Sequence, residues 1–359
     1  MKEMRKKLGD YITQRREKNT FDDLPICGVC REGLIPPKQQ DADISLYNVF
    51  YKNDFIFNPA RMELNSITLN TQHDKAICSS LYEIFYINDT SILLPEFLFV
   101  QLKTDNFIRF CEFQGQGSVR EYCRFANISE YPVIVPDIKE QQKIVDTYNA
   151  ITNRIQIKQK INENLEKTAQ CLFEELTKDK EPNGKLEDIA NITMGQSPDG
   201  DSYNENGDGM IFYQGKSDFG FRFVSERIYT SQPTRFAKEN DILLSVRAPV
   251  GVINITPKKC CIGRGLAAIS SKLNQNSFLF YTLKSKDSAF EIYNGEGTVF
   301  GSINSEGLKN LEIVIPNERE ISKFESSVSK IDEQIKNNEL ELIKLNQLKQ
   351  LVVSQISKR

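Results

Sequence analysis

Residues 317–359 read NEREISKFESSVSKIDEQIKNNELELIKLNQLKQLVVSQISKR, a run with neither glycine nor proline. Steps of three and four residues pick out Ile321, Phe324, Val328, Ile331, Ile335, Asn338, Leu342, Leu345, Lys349, Val352 and Ile356, all apolar except Asn338 and Lys349. Two apolar seats in every seven residues mark a helix that buries one narrow stripe against another helix. A second run without glycine or proline, 137–181, repeats those seats 180 residues earlier. They are Gln141, Ile144, Tyr148, Ile151, Ile155, Lys158, Asn162, Leu165, Ala169, Leu172 and Leu176. A 40-residue helix would span about 60 Å.

The same offset continues upstream. Gln114-Gly115-Gln116-Gly117-Ser118-Val119 aligns with Asn294-Gly295-Glu296-Gly297-Thr298-Val299, and Tyr131-Pro132-Val133-Ile134-Val135-Pro136 with Leu311-Glu312-Ile313-Val314-Ile315-Pro316. At the slightly different offsets of 181 and 178 residues, Phe97–Lys103 weakly echoes Phe278–Lys284, and Lys7-Leu8-Gly9-Asp10 echoes Lys185-Leu186-Glu187-Asp188. So long a period means a duplicated domain rather than a solenoid. The expected fold is α+β (mixed α/β): two globular domains separated by an antiparallel two-helix coiled coil, with a pseudo-two-fold internal repeat. The expected boundaries are 1–136 and 182–316 for the globular domains, and 137–181 and 317–359 for the central and distal long helices. If the helices pack to bury both stripes, the pair runs antiparallel, with one globular domain at each end. The polar seats Lys158, Asn162 and Asn338 either fix the register or face solvent or a partner. Within the domains, Ser79–Ile87, Asp241–Val246 and Leu311–Ile315 read as strands, and Pro95–Phe110 and Ser277–Tyr293 as helical.

The chain's 359 residues suit two domains with connecting elements. No run of about 18 apolar residues is present, and Met1–Gln14 lacks the apolar centre of a signal peptide, so a cytoplasmic protein with reduced cysteines is expected. Lys and Arg number 46 against 49 Asp and Glu, and none of the four segments is strongly basic. DNA binding would therefore depend on local patches or on partner subunits.

Several stretches resemble a known family, the specificity (S) subunits of type I restriction–modification systems. In the second domain Met194-Gly195-Gln196-Ser197-Pro198, Phe212-Tyr213-Gln214-Gly215-Lys216, Asp241 to Gly251 and Cys260 to Leu266 are similar to one class of target-recognition domain. In the first, Asp54-Phe55-Ile56-Phe57-Asn58-Pro59-Ala60-Arg61 is similar to another. Ile134-Val135-Pro136 followed by Glu140-Gln141 resembles the family's strand-to-helix junction, where the second copy has Glu320-Ile321. The resemblance implies a non-catalytic subunit that reads a split double-stranded DNA target, one half-site per recognition domain, with a spacer set by the helices. It implies two methyltransferase (M) subunits docked on the helices, which methylate adenine with S-adenosylmethionine, and translocating restriction (R) subunits beside them. No cofactor is expected in this chain itself. Similar helices between dissimilar globular cores predict two unlike half-sites and an asymmetric target.

Arg and Lys suit guanine, Asn and Gln suit adenine, and Lys, Arg and backbone amides suit phosphate. Candidate DNA contacts are Gln196, Tyr213, Gln214, Lys216, Arg247, Lys258, Lys259 and Arg264 in the second domain. In the first they are Asn58, Arg61, Arg120 and Arg124, with Arg15, Arg16 and Lys18 for phosphate. Arg61 and Arg247 follow apolar strands and would serve equally well paired to a carboxylate. Arg120 and Arg124 lie beside the repeated Gly-x-Gly and could instead support the helix junction.

Other signals do not amount to sites. Cys27-Gly28-Val29-Cys30 has metal-knuckle spacing, but no second pair of that kind completes four ligands, Cys260 and Cys261 are adjacent, and His73 is the one histidine. Gly115 and Gly117 lack the third glycine of a dinucleotide site, and no P-loop is present. Asn58-Pro59-Ala60-Arg61 lacks the aromatic ring with which an adenine methyltransferase stacks a flipped base. No catalytic triad is visible. The competing reading is a coiled-coil scaffold or adaptor that binds only protein partners; an enzyme such as a nuclease is a third.

Overall fold

The computed structural model describes residues 6–20, 24–31, 33–37, 43–115, 122–294 and 301–358. The chain divides into two compact units, Met1–Gln156 with Lys344–Arg359, and Ile157–Ile343. The division crosses both long helices, which run unbroken over Ile138–Thr177 and Glu318–Lys358.

In the second unit the two helices pack antiparallel. Phe173 meets Phe324 edge-on at 5.8 Å, and Asn162 accepts a 2.7 Å hydrogen bond from Asn338. Lys158 Nζ donates to Asn338 Oδ1 at 2.9 Å and pairs with Glu341 at 2.9 Å. Partner numbers fall along one helix as they rise along the other. Both asparagines are 1 % exposed, so these polar seats face the partner helix and can bond only in one alignment. In the first unit Lys349 Nζ lies 5.0 Å above the Tyr148 ring. One expected seat is corrected: Leu172 is exposed and Phe173 is buried in its place. A straight helix turns every 3.6 residues, so a strict 3.5-residue stripe drifts off the buried face.

Each unit has its own core and the same strand plan. In the first, Ile12–Arg15, Glu83–Ile87, Phe55–Phe57 and Ile67–Leu69 form, in that order, an antiparallel sheet. In the second, Ala190–Met194, Leu266–Ser271, Ile242–Ser245 and Ile253–Ile255 do the same. A further sheet in each contains one parallel pair, Ile26–Cys30 with Lys75–Cys78, and Met210–Tyr213 with Cys260–Ile262. The strands alternate with turns closed by Asn and Gly, and their inward faces are Phe, Ile, Leu and Ala: Phe55, Phe57 and Phe85 are fully buried in one core, Leu244, Ala267 and Ile269 in the other. A two-residue ribbon ties each unit's start to its end, Lys6–Lys7 to Pro132–Val133 and Gly184–Lys185 to Glu312–Ile313.

The expected helical stretches each divide in two, Pro95–Gln101 with Asp105–Gly115, and Asn276–Lys284 with Asp287–Glu291. Strand Glu83–Ile87 begins only after a turn at Ser79–Tyr82. The Gly-x-Gly repeats fall mostly at 116–121 and 295–300, outside the described residues.

The junction glutamine has a defined job. Gln141, 0 % exposed, accepts from Leu94 N at 2.8 Å and donates to Pro136 O and Ile92 O at 2.7 Å. It thereby satisfies the start of the Pro95 helix. In the second unit Ile321 is buried as an apolar residue, and Glu325, one turn later, accepts from Ser277 N and Phe278 N at 3.1 and 2.9 Å. Different residues on different turns cap corresponding helices.

Candidate nucleic-acid interface

Four chain segments meet at one end of the second unit's sheets. Gly195 N donates to Leu266 O at 2.9 Å, Gln196 N to Ile262 O at 3.0 Å, Gly263 N to Tyr213 O at 2.8 Å, and Val246 N to Gly265 O at 2.9 Å. Glycine permits the approach. A Cβ on Gly195 would overlap Gly263 O, and one on Gly265 would stand 2.5 Å from Gln214 O. The backbones close into a platform, and the side chains between the glycines project from it. Gln196, Gln214, Lys216, Arg247 and Arg264 are all exposed. Among the described residues no carboxylate forms an ion pair with Arg247 or Arg264, so both guanidinium forks are open to an outside acceptor.

Three candidates are placed elsewhere. Tyr213 turns inward: it is 0 % exposed, packs in the core with Leu243 and Ile262, and its hydroxyl is pushed well above the usual phenol range by burial. Its position in the strand Met210–Tyr213 points the ring to the core face, which corrects its reading as a contact. Lys258 and Lys259 precede the strand Cys260–Ile262, whereas Arg264 follows it. Lys258 pairs with Glu226 at 2.8 Å, and Lys259 lies 4.8 Å above Phe236. The sequence reading missed Arg235. It is exposed, and its carbonyl accepts from Ile262 N at 2.9 Å, which sets it beside Gln196 at the glycine platform. With no neighbouring glycine, it gave no local signal.

In the first unit Asn58 caps a short helix by accepting from Ala60 N at 3.1 Å, and Arg61 is exposed on that helix. Asn58 and Arg61 line a cleft of about 740 Å³ together with Arg31, Tyr47 and Tyr82. Arg31 is exposed there and was also missed. Cys123 N donates to Pro59 O at 3.0 Å, which brings Arg124 beside this helix, where it pairs with Glu83 at 3.4 Å. Arg120 lies outside the described residues. Asn58 and Arg61 follow strand Phe55–Phe57 just as Arg247 follows Ile242–Ser245, so the two clusters occupy corresponding strand ends.

Arg15 is taken out of the solvent-facing set. Its fork holds both oxygens of Asp54, at 2.6 and 3.1 Å, and its guanidinium lies 4.7 Å from the rings of both Tyr51 and Tyr86. Lys18 is exposed but donates to Leu46 O and to Asn48 Oδ1, and Arg16 is exposed with its Nε on Gln14. Cys27 and Cys30 share one strand. Burial pushes the Cys27 thiol up, and Cys30 Sγ donates to Gly33 O at 3.6 Å. No cluster of three or more His, Cys, Asp or Glu suited to a metal occurs among the described residues, nor any helix long and apolar enough to cross a membrane.

Comparison with known proteins agrees with this architecture. The family described as the type I restriction modification DNA specificity domain matches residues 38–167 and 178–349. The putative type I restriction enzyme MjaX specificity subunit of Methanocaldococcus jannaschii is 42% identical over 156 residues, 42% of this chain and 36% of that protein. The match thus spans about a third of that relative's length. The MjaIX specificity subunit of the same organism is 25% identical over 301 residues, 74% of this chain and 68% of that one. The crystal structure of the type I restriction–modification system S subunit from M. genitalium shares the fold, with TM-score 0.65 over 98% of this chain and 95% of that one, at 14% identity. With two segments covering most of its length, the chain belongs to the family of the type I restriction modification DNA specificity domain.

Proposed function

We propose that this chain reads an asymmetric, bipartite double-stranded DNA target for an adenine methyltransferase, one half-site for each recognition domain. The domains are 1–136 and 182–316, and the long helices 137–181 and 317–359 join them and set the unread spacer. The observation that carries this reading is the pairing of one strand plan with two unlike contact sets. Corresponding strand ends bear Asn58, Arg61 and Arg124 in one unit, and Gln196, Gln214, Lys216, Arg247 and Arg264 in the other. Arg120 belongs to the first set by sequence. One scaffold that presents different donors and acceptors reads different bases.

Two M subunits dock on the helices and hold the S-adenosylmethionine and the methyl-transfer chemistry, and R subunits join them in the cytoplasm. The net charge of −3 fits a division in which those partners supply much of the phosphate contact. The scaffold-only alternative is disfavoured by membership of a DNA specificity family.

The test is methylation of a random-sequence duplex library by the chain co-purified with its methyltransferase. A split motif with unlike halves is expected, and an unsplit or palindromic motif would refute the reading. Arg247→Ala and Arg264→Ala should each weaken discrimination at one half-site by roughly 1–3 kcal/mol and leave the other unchanged. Equal loss at both would assign the residue to folding or assembly.

A further inference from the structure

Among the described residues, the largest fully buried side chain is an arginine. Arg222 lies in the loop between Phe219 and Val224. On one side this loop is hydrogen-bonded to the edge strand Ile253–Ile255 of the second domain's sheet: Ile255 N donates to Arg222 O at 2.9 Å, Val224 N to Ile255 O at 3.2 Å, and Asn254 Nδ2 to Gly220 O at 3.0 Å. On the other side the Arg222 side chain, 1 % exposed, reaches both long helices. Nη1 is 3.0 Å from Asp332 on the second helix, and Nη2 is 3.2 Å from Glu166 on the first. Nη2 also donates to Tyr281 Oη at 2.8 Å, and the guanidinium lies 4.0 Å from the Phe280 ring centroid. Lys284 holds Glu166 from the far side at 2.8 Å.

A buried arginine with two carboxylates is a costly way to gain stability, since desolvation offsets most of the attraction, and apolar packing of equal volume does as well or better. What the cluster adds is direction. The planar fork meets carboxylates and a hydroxyl at fixed angles, where apolar groups slide. We propose that Arg222 is a positioning residue for DNA reading: it locks the second recognition domain to both long helices at one orientation. It thereby fixes the bearing of Gln196, Gln214, Arg247 and Arg264 relative to the helix pair. The inference deepens the two-domain reading and rests on it.

The experiment uses the complex with the methyltransferase partner. Methylation is measured on duplexes that carry the preferred target and on others with the spacer one base pair longer or shorter. Arg222→Met keeps the volume without the fork. The double variant Glu166→Gln with Asp332→Asn keeps the shapes and removes the charges, and serves if Arg222→Met does not fold. Both should methylate the off-length spacers more readily, with spacer preference reduced about ten-fold, while discrimination at the first half-site and the salt dependence of DNA binding stay as in the wild type. Arg222→Lys should fall between. Folded variants with undiminished spacer preference would overturn the proposal. So would variants that lose both half-sites together, because that marks a role in folding alone. If the wild-type complex itself reads no split target, the two-domain reading fails and takes this inference with it, and the wild-type lane tells the two failures apart.

Discussion

A single side chain's role here depends on what lies opposite it in the fold. Arg15 and Arg264 both read in the sequence as candidate DNA contacts. Asp54, 39 residues away, claims the first, while the second stands on a glycine-lined edge with its fork exposed. Asp54 is 2 % exposed and also accepts from Tyr51 N at 2.8 Å, so removing Arg15 strands a buried carboxylate. Arg15→Ala is expected to destabilise the first unit by about 3–5 kcal/mol in urea unfolding. Arg15→Lys should recover little of this, since an ammonium cannot span both oxygens or stack between Tyr51 and Tyr86. Unchanged stability with weakened DNA binding would return Arg15 to the phosphate contacts. The glycines beside Arg264, Gln214 and Gln196 made that cluster readable in the sequence. Arg235 and Arg31 were not readable, because only strand pairing and the cleft place them.

At the scale of elements, the long helices were the most legible part of the chain. Their apolar stripe survives in the structure with a one-residue drift at Phe173, and Asn162 and Asn338 fill their polar seats facing each other. Less legible was the capping of the helix that starts at Asn276. Glu325 does this from a half-buried position, and desolvation, the largest influence, pushes its carboxyl above the ordinary 4.5 even though two backbone N–H groups favour the charged form. A carboxyl whose pKa rises on folding keeps its proton in the native state while the unfolded chain has given its up. Stability therefore falls as pH climbs from 4.5 through the raised value. Glu325→Gln has no such titration. Its melting temperature relative to wild type should rise between pH 4 and pH 7. A constant difference across that range would mean that folding leaves the Glu325 pKa where it stands in the unfolded chain.

For the whole molecule, duplication is the governing fact. The two units share strand order, parallel pair and terminal ribbons, although their cores are built from different residues. They even share a turn that an ungapped comparison overlooks. Lys52-Asn53-Asp54 and Glu239-Asn240-Asp241 both place the asparagine at positive φ, 68° and 66°, and both aspartates accept a backbone N–H three residues back, Tyr51 N and Lys238 N. If the helices act as a ruler, inserting one heptad into each, which keeps the stripe in phase, lengthens the pair by about 10 Å. The recognised spacer should then grow by about three base pairs at ~3.4 Å each, with both half-sites unchanged, as read by methylation mapping. An unchanged spacer would contradict the ruler.

The amino-acid order alone determined the duplication, the two long helices and their stripe, and the glycine-flanked contacts of the second domain. Each of these is written in local spacing, and local spacing follows from helix periodicity and backbone sterics. Only the tertiary structure decided which polar side chains are free. Arg15, Arg222 and Tyr213 are drawn inward by groups 39 to 110 residues distant or by the pleat of a strand, whereas Arg247 and Arg264 are left outside. Whether a charge is buried against a partner or offered to a ligand depends on what the fold brings within about 3 Å of it, and sequence spacing carries no record of that distance.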